Sequence, residues 1–165
     1  MLFRSAALLC AAVLAAGCAG VKVGSISPAE YLAQRRGDVL TTGKLSTSAQ
    51  EVLRVIGSDA DLCRRDGQAC RQALADSAGI TDEQRLSALS EVWLQVALSA
   101  DKGGTSDGPS ADKAIDAWLE TARHAYAYLF FTDRNPRDRA FEDRQTQVRD
   151  YYNYAVQQAI TGLYS

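Results

Sequence analysis

The chain has 165 residues, 47 % of them hydrophobic, and 18 Lys and Arg against 20 Asp and Glu give a formal net charge of −2. That length suits one globular domain, and the apolar content excludes a disordered chain. Both signs of charge are spread along the sequence, which excludes the basic footprint of a nucleic-acid binder.

Residues 1–17 read as a secretory signal, with Arg4 as the positive start and an apolar run from Ala6 to Ala16. The run is too short to cross a bilayer, which takes about 20 apolar residues. It ends in Leu14-Ala15-Ala16-Gly17-Cys18. Small residues directly before a cysteine resemble the bacterial lipoprotein box. The resemblance implies a diacylglycerol on the Cys18 thiol, cleavage ahead of Cys18 and acylation of the new amine. Cys10 follows the large Leu9 and is the poorer candidate. Ala19, rather than Asp, follows Cys18, as in lipoproteins sent on to the outer membrane. This implies a chain on the periplasmic face, anchored to the membrane by lipid. Residues 18–26 are then the lipidated cysteine and a short tether, whose eight residues from Ala19 to Ile26 reach at most about 28 Å.

From residue 27 to 165 the patterns predict a single all-α domain. Ser27-Pro28-Ala29-Glu30 is a capping box with proline at the first helical position, and Gly37 stops that helix. The next helix starts near Thr47 or Ser48, buries Val52, Leu53, Val55 and Ile56, and stops at Gly57. A short helix from about Gln68 to Ala78 ends before Gly79. Thr81-Asp82-Glu83-Gln84 caps a longer one, on which Leu86, Leu89, Val92, Trp93 and Val96 recur at helical spacing. Asp101 to Ser110 is a small-residue connector without the glycine pattern of a phosphate-binding loop.

Two long helices follow. Ala111 to Phe131 places Ile115, Trp118, Leu119, Ala122, Tyr126 and Leu129 in one stripe. After a turn over Thr132 to Pro136, Arg137 to about Thr161 places Phe141, Val148, Tyr152, Ala155 and Ala159 in a second, with Gln145 inside it. No run alternates over strand length. The predicted fold is an irregular helical bundle dominated by two long antiparallel C-terminal helices.

With Cys10 lost and Cys18 lipidated, Cys63 and Cys70 remain, and in an oxidising compartment they are expected to pair. On one continuous helix their Cα atoms would lie about 10.5 Å apart, whereas a disulfide needs less than about 7 Å. The chain must therefore turn, and Arg64-Arg65-Asp66-Gly67 supplies the turn. The rival reading is a metal site, which needs at least two further ligands. The one histidine, His124, is remote in sequence, so neither a metal nor a cofactor is expected.

No G-x-S-x-G nucleophile elbow occurs, and no catalytic residue is assigned. His124 points away from Ile115, with Tyr128 and Phe131 near the same rear face. Six of the seven tyrosines follow residue 125, and Tyr151, Tyr152 and Tyr154 cannot share one helix face. Tyrosine suits interfaces because an apolar ring carries a polar tip. His124, Tyr128, Phe131, Tyr151 and Tyr154 are thus a candidate contact surface, unless another helix of the domain covers them. The mixed charges from Arg137 to Asp150 read as a solvated, salt-bridged face, with Arg139 and Asp143 at paired spacing.

Tyr31 to Gly43 (YLAQRRGDVLTTG) and Ala122 to Ala155 (ARHAYAYLFFTDRNPRDRAFEDRQTQVRDYYNYA) resemble the N-terminal region of large bacterial lipoproteins of the α/β-hydrolase type. In that family the helical region precedes a serine-hydrolase domain. The chain stops at Ser165, before any nucleophile, so the resemblance implies a stand-alone relative of the accessory region or a truncated product. The expected role is a non-catalytic helical domain that contacts a protein partner, either a hydrolase domain or an envelope protein. Two alternatives are a tetratricopeptide-like envelope adaptor and a helical subunit completing a hydrolase on another chain.

Overall fold

The computed structural model describes residues 39–103 and 109–164, which fall in one compact unit. The signal, Cys18, the tether, the Ser27 capping box, Gly37 and the centre of the Asp101–Ser110 connector lie outside the described residues. The described residues form an all-α bundle. Four short helices, α1 (Val39–Thr42), α2 (Thr47–Val55), α3 (Ala60–Arg65) and α4 (Gly67–Asp76), precede α5 (Asp82–Gly103), α6 (Pro109–Phe130) and α7 (Asp143–Tyr164). A 3-10 turn, Pro136–Arg139, sits between the last two.

Short polar side chains start the helices by accepting backbone N–H groups that have no helical partner. Ser46 accepts from Ala49 at α2, Asp59 from Leu62 at α3, and Asp66 from Ala69 at α4. Thr81 and Gln84 cap α5 reciprocally: the Gln84 amide donates to Thr81 Oγ1, and the Thr81 amide donates to Gln84 Oε1. Gly57 closes α2 at φ +73°, a conformation that costs glycine little.

The two expected long helices have a third of equal length, since α5, α6 and α7 each run 22 residues. α5 is central and packs against α1, α2, α4, α6 and α7. It buries Ala88, Leu89, Val92, Leu94 and Ala97 together with the polar Ser90 and Glu91. Leu86, Trp93 and Val96 are half-buried against this core. α6 and α7 are antiparallel: a Cβ added at Gly162 would stand 3.0 Å from Ile115 Cγ1, and the Tyr126 and Tyr152 rings are 5.8 Å apart. Among the described residues no helix is long and apolar enough to cross a membrane.

Three expected burial patterns are corrected. On α2, Val52 and Leu53 are buried, but Val55 is exposed because it follows the outward side of so short a helix. On α6 the inward stripe is Ala114, Ala117, Trp118, Thr121, Ala122, Ala125, Tyr128 and Leu129, which leaves Leu119 and Tyr126 exposed. Small residues at 114, 117, 121, 122 and 125 bring α6 close to its neighbours, so the stripe follows size rather than hydrophobicity. Finally, α7 begins at Asp143 and not at Arg137, because Asn135 caps the 3-10 turn with Pro136 at its start. Phe141, in the link, is 100 % exposed, and Arg139 is buried instead.

Candidate functional site

Two ionic networks organise the bundle, one buried and one that runs from the surface to a single buried arginine. In the first, Ser46 donates from its backbone N–H to Glu91 Oε2 and from its hydroxyl to Glu91 Oε1, both at 2.8 Å. Arg144 Nη1 donates to Glu91 Oε1, Nη2 reaches Ser46 Oγ at 3.2 Å, and Nη1 also reaches Gln147 Oε1 at 2.8 Å. Burial pushes the Glu91 carboxyl above the usual carboxylate range, while Arg144 and Ser46 pull against it. The network joins the cap of α2, the middle of α5 and the first turn of α7. Both carboxylate oxygens are engaged within the fold.

The second network closes the end where α6 turns into α7. Arg134 donates to Glu83 Oε1 at 2.8 Å and grips Glu142 with two hydrogen bonds of 2.9 Å. Arg139 lies wholly inside, donating to the Tyr128 carbonyl at 3.0 Å, with its guanidinium 4.8 Å from the Tyr128 ring centre and Nη1 3.5 Å from Glu83 Oε1. The expected solvated charged face holds for Arg137, Asp138, Asp143, Arg149 and Asp150, which are exposed, and is corrected for two arginines. Arg139 and Arg144 turn inward, Arg144 onto the Glu91 carboxylate and Arg139 against the Tyr128 ring and beside Glu83.

The expected contact surface divides. Tyr128 and Tyr151 are buried, 2 % and 0 % exposed, so they belong to the core and not to a surface. Tyr154 is half-buried and meets Trp118 edge-on, with ring centres 5.6 Å apart. His124 is mostly covered, with Nδ1 2.7 Å from the Glu120 carbonyl, and burial holds its pKa below the ordinary value. Phe131 is the clearly exposed one, at 73 %.

Other residues make up the exposed apolar face. Tyr126 stands 4.8 Å from Phe130, 5.8 Å from Phe131 and 5.8 Å from Tyr152, centre to centre. Leu119 lies farther along α6, and Ile160, Leu163 and Tyr164 farther along α7, all exposed. Leu119, Tyr126 and Phe130 follow helical spacing, as do Tyr152, Ile160 and Leu163. The sequence carries this signal in Leu119 and Tyr126, whose apolar character alone places them in the core stripe.

The Cys63–Cys70 disulfide is present, with Cα atoms 4.9 Å apart. Asp66, between α3 and α4, breaks the helix at φ −132° and ψ 76° and turns the chain as expected. Among the described residues no three His, Cys, Asp or Glu side chains come together as a metal site. No family model, curated protein or solved structure matches the chain.

Proposed function

We propose that this chain is an outer-membrane lipoprotein whose periplasmic-side helical domain docks a protein partner through the exposed apolar face of α6 and α7, without chemistry of its own. One observation carries the reading: the exposed rings of Tyr126, Phe130 and Phe131 form a contiguous aromatic cluster that rests on the half-buried Tyr152. Exposed aromatic area of this kind is the usual core of a protein interface, and leaving it in water is unfavourable. The lipobox-like Leu14–Cys18 supports the anchor. The likeness of residues 31–43 and 122–155 to the region that precedes a serine-hydrolase domain supports a hydrolase as the partner.

A photocrosslinking amino acid at Phe131 tests this in cells that make the full chain, with the same group at Arg54 as control. The reading expects one discrete adduct from position 131, containing a hydrolase-type chain and absent at position 54. An identical adduct pattern at both positions contradicts it. Esterase activity that co-purifies with the adduct and falls when the chain is removed would favour a subunit that completes the hydrolase site.

A further inference from the structure

A second feature lies elsewhere on the bundle, where α3 and α4 meet α5. A surface groove of about 330 Å³ is lined by Cys63, Arg71, Val92 and Val96, with Gln95 and Ser99 at the side shared with a neighbouring cavity of about 280 Å³. The first is within the size range of small-ligand sites, about 300–1,000 Å³. Its floor is apolar, made by Val92, Val96 and the disulfide. One cation stands over it.

Arg71 is held in place without a carboxylate partner. Its guanidinium carbon stacks 3.8 Å from the Trp93 ring centre, and Nη2 donates to Gln68 Oε1 at 2.7 Å. Nε is shut off from solvent and has no acceptor. A Cβ at residue 67 would stand only 2.8 Å from Nη1, so Gly67 leaves room for the guanidinium. The acidic groups that face Arg71 are Asp66 and Glu120. Asp66 is engaged by the Ala69 N–H at 2.9 Å, and Glu120 by Arg123 at 2.5 and 3.0 Å. Among the described residues no ion pair is formed by Arg71.

A fixed planar cation beside an apolar floor has a specific complement. We propose that the groove binds a small amphiphilic carboxylate, its apolar body against Val92, Val96 and the disulfide and its carboxylate on the outer nitrogens of Arg71. The stacked guanidinium presents two parallel N–H donors that match a carboxylate, and Trp93 keeps it from swinging into water. Exposed Gln68 gives up its hydrogen bond as the ligand arrives. The shared chemistry is an apolar group ending in a carboxylate, whether a free acid or the C-terminus of a peptide.

Calorimetric titration of the folded full chain with sodium hexanoate, hexanamide and the tripeptide Ala-Ala-Leu, free and amidated, tests the site. Hexanoate or the free tripeptide is expected to saturate at one equivalent, with no binding of hexanamide or the amidated peptide. Whichever acid binds more tightly identifies the source. Arg71→Gln is expected to weaken binding at least tenfold while leaving the thermal midpoint unchanged within a few degrees. Tryptophan emission, compared with a Trp118→Phe variant, gives a second readout in the same titration, because a carboxylate on the guanidinium changes the field at the stacked Trp93 ring. No saturation by either acid, equal uptake of hexanamide, or unchanged binding by Arg71→Gln would overturn the proposal.

Discussion

Glu91 on α5 and Arg144 on α7, 53 residues apart in sequence, meet inside the bundle at the hydroxyl of Ser46. The pair fixes how three helices sit, and its partners are unequal: Glu91 is wholly buried, whereas Arg144 keeps 21 % of its side chain in solvent. Removing the arginine is therefore the harsher change. Arg144→Met is expected to cost about 3–5 kcal/mol, because it strands a buried carboxylate. Glu91→Leu with Arg144→Met is expected to recover most of that loss. Urea unfolding of the single and double variants measures both, and simple additivity would contradict the coupling.

The same carboxylate sets a pH dependence. Because burial raises the Glu91 pKa in the fold, the native chain holds this proton to higher pH than the unfolded chain. Its contribution to stability is then full below the ordinary carboxylate pKa and is lost as pH rises through the folded value. Glu91→Gln should flatten stability against pH from that range upward. A variant profile parallel to the wild type would exclude the raised value.

His124 is the single histidine of the chain, so its titration needs no assignment. Burial lowers its folded pKa below the usual value of about 6.5. The unfolded chain therefore takes up this proton first on acidification. The stability His124 contributes is present above the ordinary value and is lost as pH falls through the folded one. Proton NMR should show the imidazole midpoint below that of the urea-unfolded chain.

The sequence made the helix starts and the cysteine pair legible, because those depend on neighbours within a few residues. Thr81 and Gln84 announce a capping box by spacing alone, and Asp66-Gly67 announces the turn that lets Cys63 meet Cys70. The phase of α6 was not legible. Tyr126 is apolar enough to be read as core, and Thr121 and Ala125 small enough to be passed over, yet close helix packing prefers the small pair. Arg139 was hidden for a similar reason: its charge argues for solvent until the ring of Tyr128, across the turn, and Glu83, on another helix, are seen beside it. The Arg71 groove was invisible because its walls come from three helices.

Core and surface aromatics should respond oppositely to truncation. Tyr128→Ala is expected to cost about 3–5 kcal/mol, since it opens a cavity and unseats Arg139. Phe131→Ser should stay within about 0.5 kcal/mol. Thermal unfolding of the two variants checks this, and equal losses would place Phe131 in the core.

The short disulfide loop should contribute about 2–3 kcal/mol. Replacing Cys63 and Cys70 together by serine is expected to lower the unfolding free energy by that amount, read from the urea midpoint and slope together. A loss well below about 1 kcal/mol would contradict the loop-closure account.

The claim that the α6/α7 face docks a partner is tested most directly by the size of the particle that carries the chain. Membranes from cells making the wild type, or the Phe130→Ser, Phe131→Ser double variant, are extracted in mild detergent and resolved on native gels. The account predicts a complex larger than the lone chain for the wild type, and for the variant a particle of lone-chain size with its thermal midpoint unchanged. Equal particle sizes for the two chains would contradict it.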